Sequence, residues 1–314
     1  MTIKQSPKII VIVGPTASGK SDLAIQLARK FSAKGGPASG WNGAEIVSAD
    51  SRQVYREMDI GTGKVTKTEQ KLAKHHLIDI RDPNHNYTAA NYKRDAIRAI
   101  KEILSAGKLP ILAGGTGLYI QTVIENLNIP NVKPNPKLRK KLENYLAKKG
   151  LAALFQKLIA LDPEAAYIVD DKNPRRVIRA LEVAMTTGRP FSSQRTKGRP
   201  MFQTLEIGIA LPNEILRRRI NKRVDKMIKQ ELVKEVSDLI KKYGAAMQAF
   251  DAIGYREIIR YLKKELTLKE AAELIKTNTW RYAKRQMTWF KKDKKVRWIK
   301  NRKEAEELTR GFLF

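Results

Sequence analysis

Residues Gly14, Pro15, Thr16, Ala17, Ser18, Gly19, Lys20 and Ser21 spell the pattern G-x-x-x-x-G-K-[ST] directly behind the apolar run Ile9-Ile10-Val11-Ile12-Val13. The order predicts a buried strand, a tight loop and a helix opened by that loop. In such a loop the glycines let backbone N–H groups wrap phosphate oxygens, Lys20 adds a point charge, and the Ser21 hydroxyl is a ligand for Mg²⁺. A polyphosphate is therefore expected here. The loop reads a pyrophosphate unit and its metal and is indifferent to the group attached to them.

Further along, short apolar runs alternate with amphipathic helical patterns. After the helix Lys20 to Phe31 come Ile46 to Ser48, Leu77 to Ile80, a helix near Ala89 to Leu104, and Leu109 to Ala113. This alternation predicts an α/β fold, a P-loop parallel sheet core flanked by helices. Ligands of such sheets gather at the carboxyl ends of the strands, so Asp50, Ser51 and Thr116, each just past a strand end, are expected to converge with the loop. The stretch Gly35 to Gly43 is rich in breakers and reads as an exposed loop. From Asn126 to Pro136 three prolines interrupt the pattern. Helical segments follow over Asn135 to Lys148, Gly150 to Ala160, Asp162 to Val169 and Asn173 to Thr187. They suggest a helical insertion domain over residues 125–202, between a first core segment, 1–124, and a returning one, 203–314. Glu206 to Leu211 reads as a strand rejoining the sheet, Asn213 as the cap of one long basic helix running to about Lys242, and the remainder as mostly helix ending in Val296 to Ile299.

Lys and Arg total 62 against 32 Asp and Glu, a formal charge of +30, and residues 213–314 alone carry 28 basic against 14 acidic side chains. That excess points to a polyanionic partner, nucleic acid first. With no cysteine, disulfides, thiolate nucleophiles and Cys-ligated zinc are excluded. Three histidines, His75, His76 and His85, leave little for a His-based metal site and read as loop or strand-edge residues. The N-terminus resembles neither a signal peptide nor an anchor, and no apolar run approaches the length of a membrane span. A cytoplasmic monomer with no membrane partner is the expectation.

Asp50 ends a strand facing the loop, and spacing leaves its role open. It could support Mg²⁺ beside Ser21, act as a general base on a nucleophile held across from the pyrophosphate, or simply cap a helix. The wider pattern narrows the choice. Asp50-Ser51-Arg52-Gln53-Val54-Tyr55, Asp59-Ile60-Gly61-Thr62-Gly63-Lys64, Leu77 to Pro83 and Gly114-Gly115-Thr116-Gly117-Leu118-Tyr119 follow one another in order. Asp162-Pro163, Asn173 to Val183, Ala252-Ile253-Gly254-Tyr255-Arg256-Glu257 and Lys284-Arg285-Gln286-Met287-Thr288-Trp289-Phe290 come after them. Together these resemble the tRNA dimethylallyltransferases, the tRNA isopentenyltransferase family, from the first strand to about Trp298. Two details depart from that pattern: Gly63-Lys64-Val65 stands where an alanine and a lysine-proline pair are usual, and the glycine-rich loop before Glu45 is long.

The resemblance implies transfer of a dimethylallyl group from its diphosphate to N6 of the adenine 3′-adjacent to the anticodon, in tRNAs reading codons that begin with U. It implies Mg²⁺ as cofactor, held at Ser21, and the tRNA anticodon stem-loop and dimethylallyl diphosphate as partners. Asp50 becomes the base that takes the N6 proton, Thr116 a contact to the target nucleotide, and Arg223 the arginine that meets the diphosphate. tRNA contacts are implied for Asp50, Ser51, Arg52, Gln53, Thr116 and Arg139, for Arg175, Arg176, Val177, Ile178 and Arg179, and for Asp251, Ala252, Ile253, Gly254, Tyr255 and Arg256. Gln53 has the donor and acceptor an adenine edge requires. Trp280, Trp289 and Phe290 sit at helical spacing among apolar residues and read as core in preference to base-stacking platforms. The alternatives are a P-loop small-molecule kinase, an RNA-stimulated ATPase, a plain RNA-binding protein and an adenylate isopentenyltransferase acting on free AMP or ATP. The high charge argues against the first, and the basic residues Arg175 to Arg179 against the last.

Overall fold

The structure, a computed structural model, describes residues 6–31, 41–130 and 132–314; most of the stretch Gly35 to Gly43 lies outside the described residues. Two compact units divide the chain: residues up to Ile124 together with Met201–Phe314, and Glu125–Pro200.

The larger unit is built on a parallel sheet. Strands β1 (Lys8–Val13), β2 (Ala44–Ser48), β3 (His75–His76), β4 (Leu109–Gly114), β5 (Gln203–Ile209) and β6 (Arg297–Ile299) lie in the order β3-β2-β4-β1-β5-β6. All neighbours run parallel. β1 is central and buried on both faces, as a continuous run of Ile and Val in a parallel sheet requires. Ile9, Val11 and Val13 face one apolar layer with Ile100, Tyr255 and Phe290, while Ile10 and Ile12 face another with Leu23, Leu27 and Ala305.

The helices of this unit are α1 (Lys20–Lys30), α2 (Lys67–Leu72), α3 (Ala89–Ser105) and α4 (Gly117–Ile124) in the first segment. Within Glu125–Pro200 lie α5 (Pro136–Leu161), α6 (Ala165–Ile168), α7 (Pro174–Thr187) and α8 (Phe191–Gln194). The last segment holds α9 (Asn213–Lys229), α10 (Leu232–Tyr243), a 3₁₀ turn (Gln248–Asp251), α11 (Tyr255–Leu262), α12 (Leu268–Lys291) and α13 (Arg302–Leu313). Trp280, Trp289 and Phe290 on α12 pack into apolar clusters, as their spacing suggests.

Four segments differ from the reading of the sequence. Leu77 to Ile80 is not a strand: Leu77 and Asp79 have φ of +63° and +56°. The chain there bonds sideways, Asp79 N–H to the Gln53 carbonyl and Ile80 N–H to that of Val54, and the edge strand is His75-His76 just before it. The long basic helix is two helices, broken at Glu231 with φ +67°, and Asn213 does not cap it; Pro212 stands at that position. Asp162 to Val169 holds only the short α6, because the buried Asp162 carboxylate is spent on Ser192, accepting from its N–H at 2.8 Å and its hydroxyl at 2.6 Å. The chain also runs on past Val296 to Ile299, which supplies β6, into a further helix, α13.

The smaller unit is helical and its caps are written locally. Asn135 accepts from Leu138 N–H at 3.0 Å ahead of Pro136, and Asn173 from Arg176 N–H at 3.3 Å ahead of Pro174. Gly150 at φ +81° kinks α5, and Gly188 at φ +67° ends α7. Leu142, Leu154, Leu158, Val177, Ile178 and Leu181 form its core. At its centre the fully buried Glu182 accepts from Arg139 and Arg179, both at 2.7 Å, and from Asn135 N–H at 2.8 Å. Burial pushes that carboxyl up, but the two guanidiniums and the backbone N–H outweigh it and hold it below the usual range.

Candidate active site

The carboxyl ends of β1, β2 and β4 open on a cleft of about 390 Å³ in the larger unit. On one wall the Gly14–Ser21 loop contributes Thr16, Lys20 and Ser21; Asp50 to Gln53 come off the end of β2, and Arg223 reaches in from α9. Val65, Val224, Met227, Ile253 and Ile275 supply apolar lining beside them. One cavity thus offers cations and backbone donors for an anion next to an apolar patch.

Gly19, at φ +98°, turns the loop into the first residue of α1, so the unsatisfied N–H groups of the helix start face the loop. Gly14 sits so close to β5 that a Cβ there would lie 2.7 Å from the Ile209 carbonyl oxygen. The Lys20 ammonium folds back on the Pro15 carbonyl at 2.5 Å. Desolvation lowers its pKa to about 7, Asp50 partly opposing and Arg223 reinforcing the shift. Arg223, likewise desolvated and likewise within reach of the Asp50 charge, donates from Nη2 to the Thr62 carbonyl at 2.8 Å. Lys20, Arg223 and Asp50 therefore share one electrostatic neighbourhood.

Asp50 is fixed by its own turn. Its Oδ1 accepts from Arg52 N–H at 2.8 Å and Gln53 N–H at 3.3 Å, an arrangement that aims the carboxylate while leaving lone pairs over. Ser51 N–H donates to the Thr116 hydroxyl at 3.1 Å, and Tyr282 hydrogen-bonds to the same residue. Thr116, half-buried, directly follows Gly114 and Gly115, which line the cleft. Desolvation, with the Asp50 charge adding to it, pushes the Tyr282 phenol up to about 12.

The remaining sequence candidates fall into distinct surroundings. Gln53 is buried, with its Nε2 3.5 Å from the Gly63 carbonyl. Arg52, Asp251, Ala252, Ile253 and Arg256 line the cleft, whereas Tyr255 is buried beneath it with its hydroxyl 2.6 Å from Glu235. In the smaller unit Arg175 and Arg176 are exposed, Arg139 and Arg179 serve Glu182, and Val177 and Ile178 are core. Val177 and Ile178, which the resemblance implied as tRNA contacts, therefore present no side chain to an RNA, and the Val177 N–H is bonded to the Asn173 carbonyl.

Sequence reasoning passed over several residues that hold this site together. Glu235 of α10 accepts from the N–H groups of Asp59, Ile60 and Gly61 at 3.0, 2.7 and 3.0 Å. Lys64 donates to the Tyr55 carbonyl and to Asp59 and Asp79. Arg219 Nη1 reaches the Ser18 carbonyl at 3.3 Å. Gln286 lies against the loop itself. Lys64 and Gln286 had a signal in the chain, lying inside the Asp59 to Lys64 and Lys284 to Phe290 motifs, whereas Glu235 and Arg219 lie in none of the quoted motifs.

A parallel sheet with a cleft at its carboxyl edge, lined by Lys20, Arg52, Arg223 and Arg256 beside apolar side chains, is the architecture of an α/β enzyme. The chain belongs to the IPP transferase family, whose model matches residues 53–293. It is 44% identical to the tRNA dimethylallyltransferase of Carboxydothermus hydrogenoformans, over 98% of this chain and 97% of that one. Among solved structures it resembles the full-length tRNA isopentenylpyrophosphate transferase of Bacillus halodurans, with a TM-score of 0.71, 37% identity and coverage of 98% and 97% of the two chains. A eukaryotic dimethylallyltransferase acting on tRNA matches with a TM-score of 0.70 and 30% identity, over 90% of this chain and 70% of that one.

Proposed function

We propose that this transferase modifies tRNA by moving the dimethylallyl group of dimethylallyl diphosphate to N6 of the adenine 3′-adjacent to the anticodon, in tRNAs reading codons that begin with U. The observation that carries the reading is the single cleft lined by Lys20, Ser21, Asp50, Arg223 and an apolar patch. The adenine amino group is a weak nucleophile because its lone pair is delocalised into the ring. As the N6–C1 bond forms and the C1–O bond breaks, the N6 proton passes to the Asp50 carboxylate and the electron pair of the broken bond stays on the diphosphate. Lys20, the loop N–H groups and Arg223 meet that growing charge with donors already in position. A guanidinium holding the Thr62 carbonyl has further N–H groups to offer.

Among the described residues no group of three or more His, Asp or Glu side chains is placed to enclose a metal. The exposed Ser21 hydroxyl would hold a hydrated Mg²⁺ beside the diphosphate. When bound, it would supply positive charge at the leaving group. The target adenine has to leave its stack to reach Asp50, with Arg52, Gln53, Thr116 and Arg256 at the cleft and Arg175 and Arg176 on the smaller unit as RNA contacts. A cytoplasmic monomer fits this role, and no helix among the described residues is long and apolar enough to cross a membrane.

The test is an assay with labelled dimethylallyl diphosphate, Mg²⁺ and unmodified tRNA carrying adenines at the 3′ side of the anticodon, run beside AMP and ATP as acceptors. Label is expected in tRNA alone. Label in AMP or ATP, or ATP consumption without prenyl transfer, would overturn the proposal.

A further inference from the structure

We infer that Gln286 is a positioning residue that continues the sheet beyond its strand ends and so sets the spacing between the diphosphate cradle and the base. This rests on the reaction proposed above. The β1–β4 ladder ends at the pair Val13 and Gly114. The residues that face the substrate, Thr16 onward in one loop and Gly115-Thr116 in the other, lie past that point. There the Gln286 side chain, 6% exposed, is inserted between them: its Oε1 accepts from Thr16 N–H at 2.8 Å and its Nε2 donates to the Gly115 carbonyl at 2.8 Å. A backbone donor on one side and a backbone acceptor on the other leave the amide a single orientation. Gly115 admits it only because it has no side chain, since a Cβ there would lie 2.2 Å from Nε2.

The helix that delivers this amide serves the site along one face. Ile275, Thr279, Tyr282 and Gln286, spaced by four, three and four residues on α12, all line the cleft. Tyr282, one turn before Gln286, holds Thr116, whose hydroxyl in turn accepts from Ser51 N–H next to Asp50. Hydrogen bonds therefore run from the phosphate-facing loop through Gln286 to Gly115 and Thr116, and on to the residue beside the base. Loss of this clamp leaves both substrates bound and misaligned, and a displacement of about 1 Å costs on the order of 100-fold in rate.

Two variants test it. Gln286→Leu removes both bonds at similar volume, and Gln286→Glu keeps an acceptor for Thr16 N–H but sets a carboxylate against the Gly115 carbonyl. Both should lose roughly 10- to 100-fold in kcat with KM for dimethylallyl diphosphate and affinity for tRNA within about two-fold of the parent protein. Hydrogen exchange should quicken locally at the Thr16 amide. Turnover within about three-fold of the parent for both variants, a fully active Gln286→Glu, tRNA affinity falling in step with kcat, or loss of protection across the whole sheet would each overturn the inference. Should the parent protein transfer no prenyl group, the reaction proposal falls, and the Thr16 exchange still decides whether Gln286 holds the loop.

Discussion

Lys20 shows how a single residue couples charge to ligand. Its pKa is lowered to about 7, first by desolvation. Between about pH 7 and its ordinary value near 10.5 the unfolded chain then holds the proton that the folded chain lacks. Stability from this group is accordingly smallest below pH 7 and rises as the pH climbs through that window. Diphosphate binding runs the other way, because the anion wants the ammonium form: above pH 7 binding must take up a proton, and affinity should fall by up to about tenfold per pH unit. Calorimetric titration with pyrophosphate in buffers of different ionisation heat should show more net proton uptake at pH 8 than at pH 6; equal uptake at the two would contradict this. At Asp50, the change to Asn keeps an acceptor for Arg52 and Gln53 N–H, so the turn should survive. Prenyl transfer should drop by at least 10²-fold, the range usual for losing a general base, with tRNA affinity within a few-fold. An Asp50→Asn enzyme turning over normally would remove Asp50 from that role.

Among the elements, the Asp59–Gly63 loop depends most on distant partners. Glu235 gathers its N–H groups, Tyr255 packs under Gly61, and Arg223 holds the Thr62 carbonyl. A Cβ on Gly61 would lie 2.5 Å from the Tyr255 ring. Gly61→Ala should therefore lift the loop, cost about 1–3 kcal/mol of stability, and raise KM for the diphosphate substrate by shifting Arg223. Thermal melts and steady-state kinetics check both; an unchanged KM would mean that Arg223 is placed without the loop. Partners of this kind also mark where sequence reading ran out. The strands β1, β2, β4 and β5 were legible because buried parallel strands are written as local apolar runs, and the loop with Asp50 because both follow such runs directly. Leu77 to Ile80 has the same apolar alternation, yet its left-handed residues serve bonds to Gln53 and Val54, some 25 residues earlier. Glu235 looks like an ordinary helix-surface residue until the fold brings a loop from about 175 residues away against it, and the motif around Gln286 does not say that it will meet a loop 270 residues away. α13 did carry a local sign, since Asn301 accepts from Glu304 N–H at 3.0 Å as an N-cap.

Across the whole molecule the charge of +30 makes tRNA binding steeply salt-dependent, through counterions released from phosphates. Arg176→Ala should flatten the plot of log affinity against log salt by about one unit of slope and leave kcat unchanged; an unaltered slope would remove that contact. Arg139 and Arg179 are poorer probes, because both neutralise Glu182. Replacing Glu182 by Ala would leave two guanidiniums facing each other and should lower the stability of the smaller unit by roughly 2–4 kcal/mol, read as a lower denaturation midpoint. The order of the sheet has a consequence in time. β1 is flanked by β4 and β5, and β5 begins only at Gln203. At translation rates of about 5–20 residues per second, the nascent chain passes several seconds between completing β4 and making β5. Throughout that interval a central strand apolar from Ile9 to Val13 has one ladder edge unpaired, while the smaller unit is being synthesised. A unit whose described residues form helices and no strand gives that edge nothing to pair with in error, so the interruption of the sheet costs delay without offering a wrong partner.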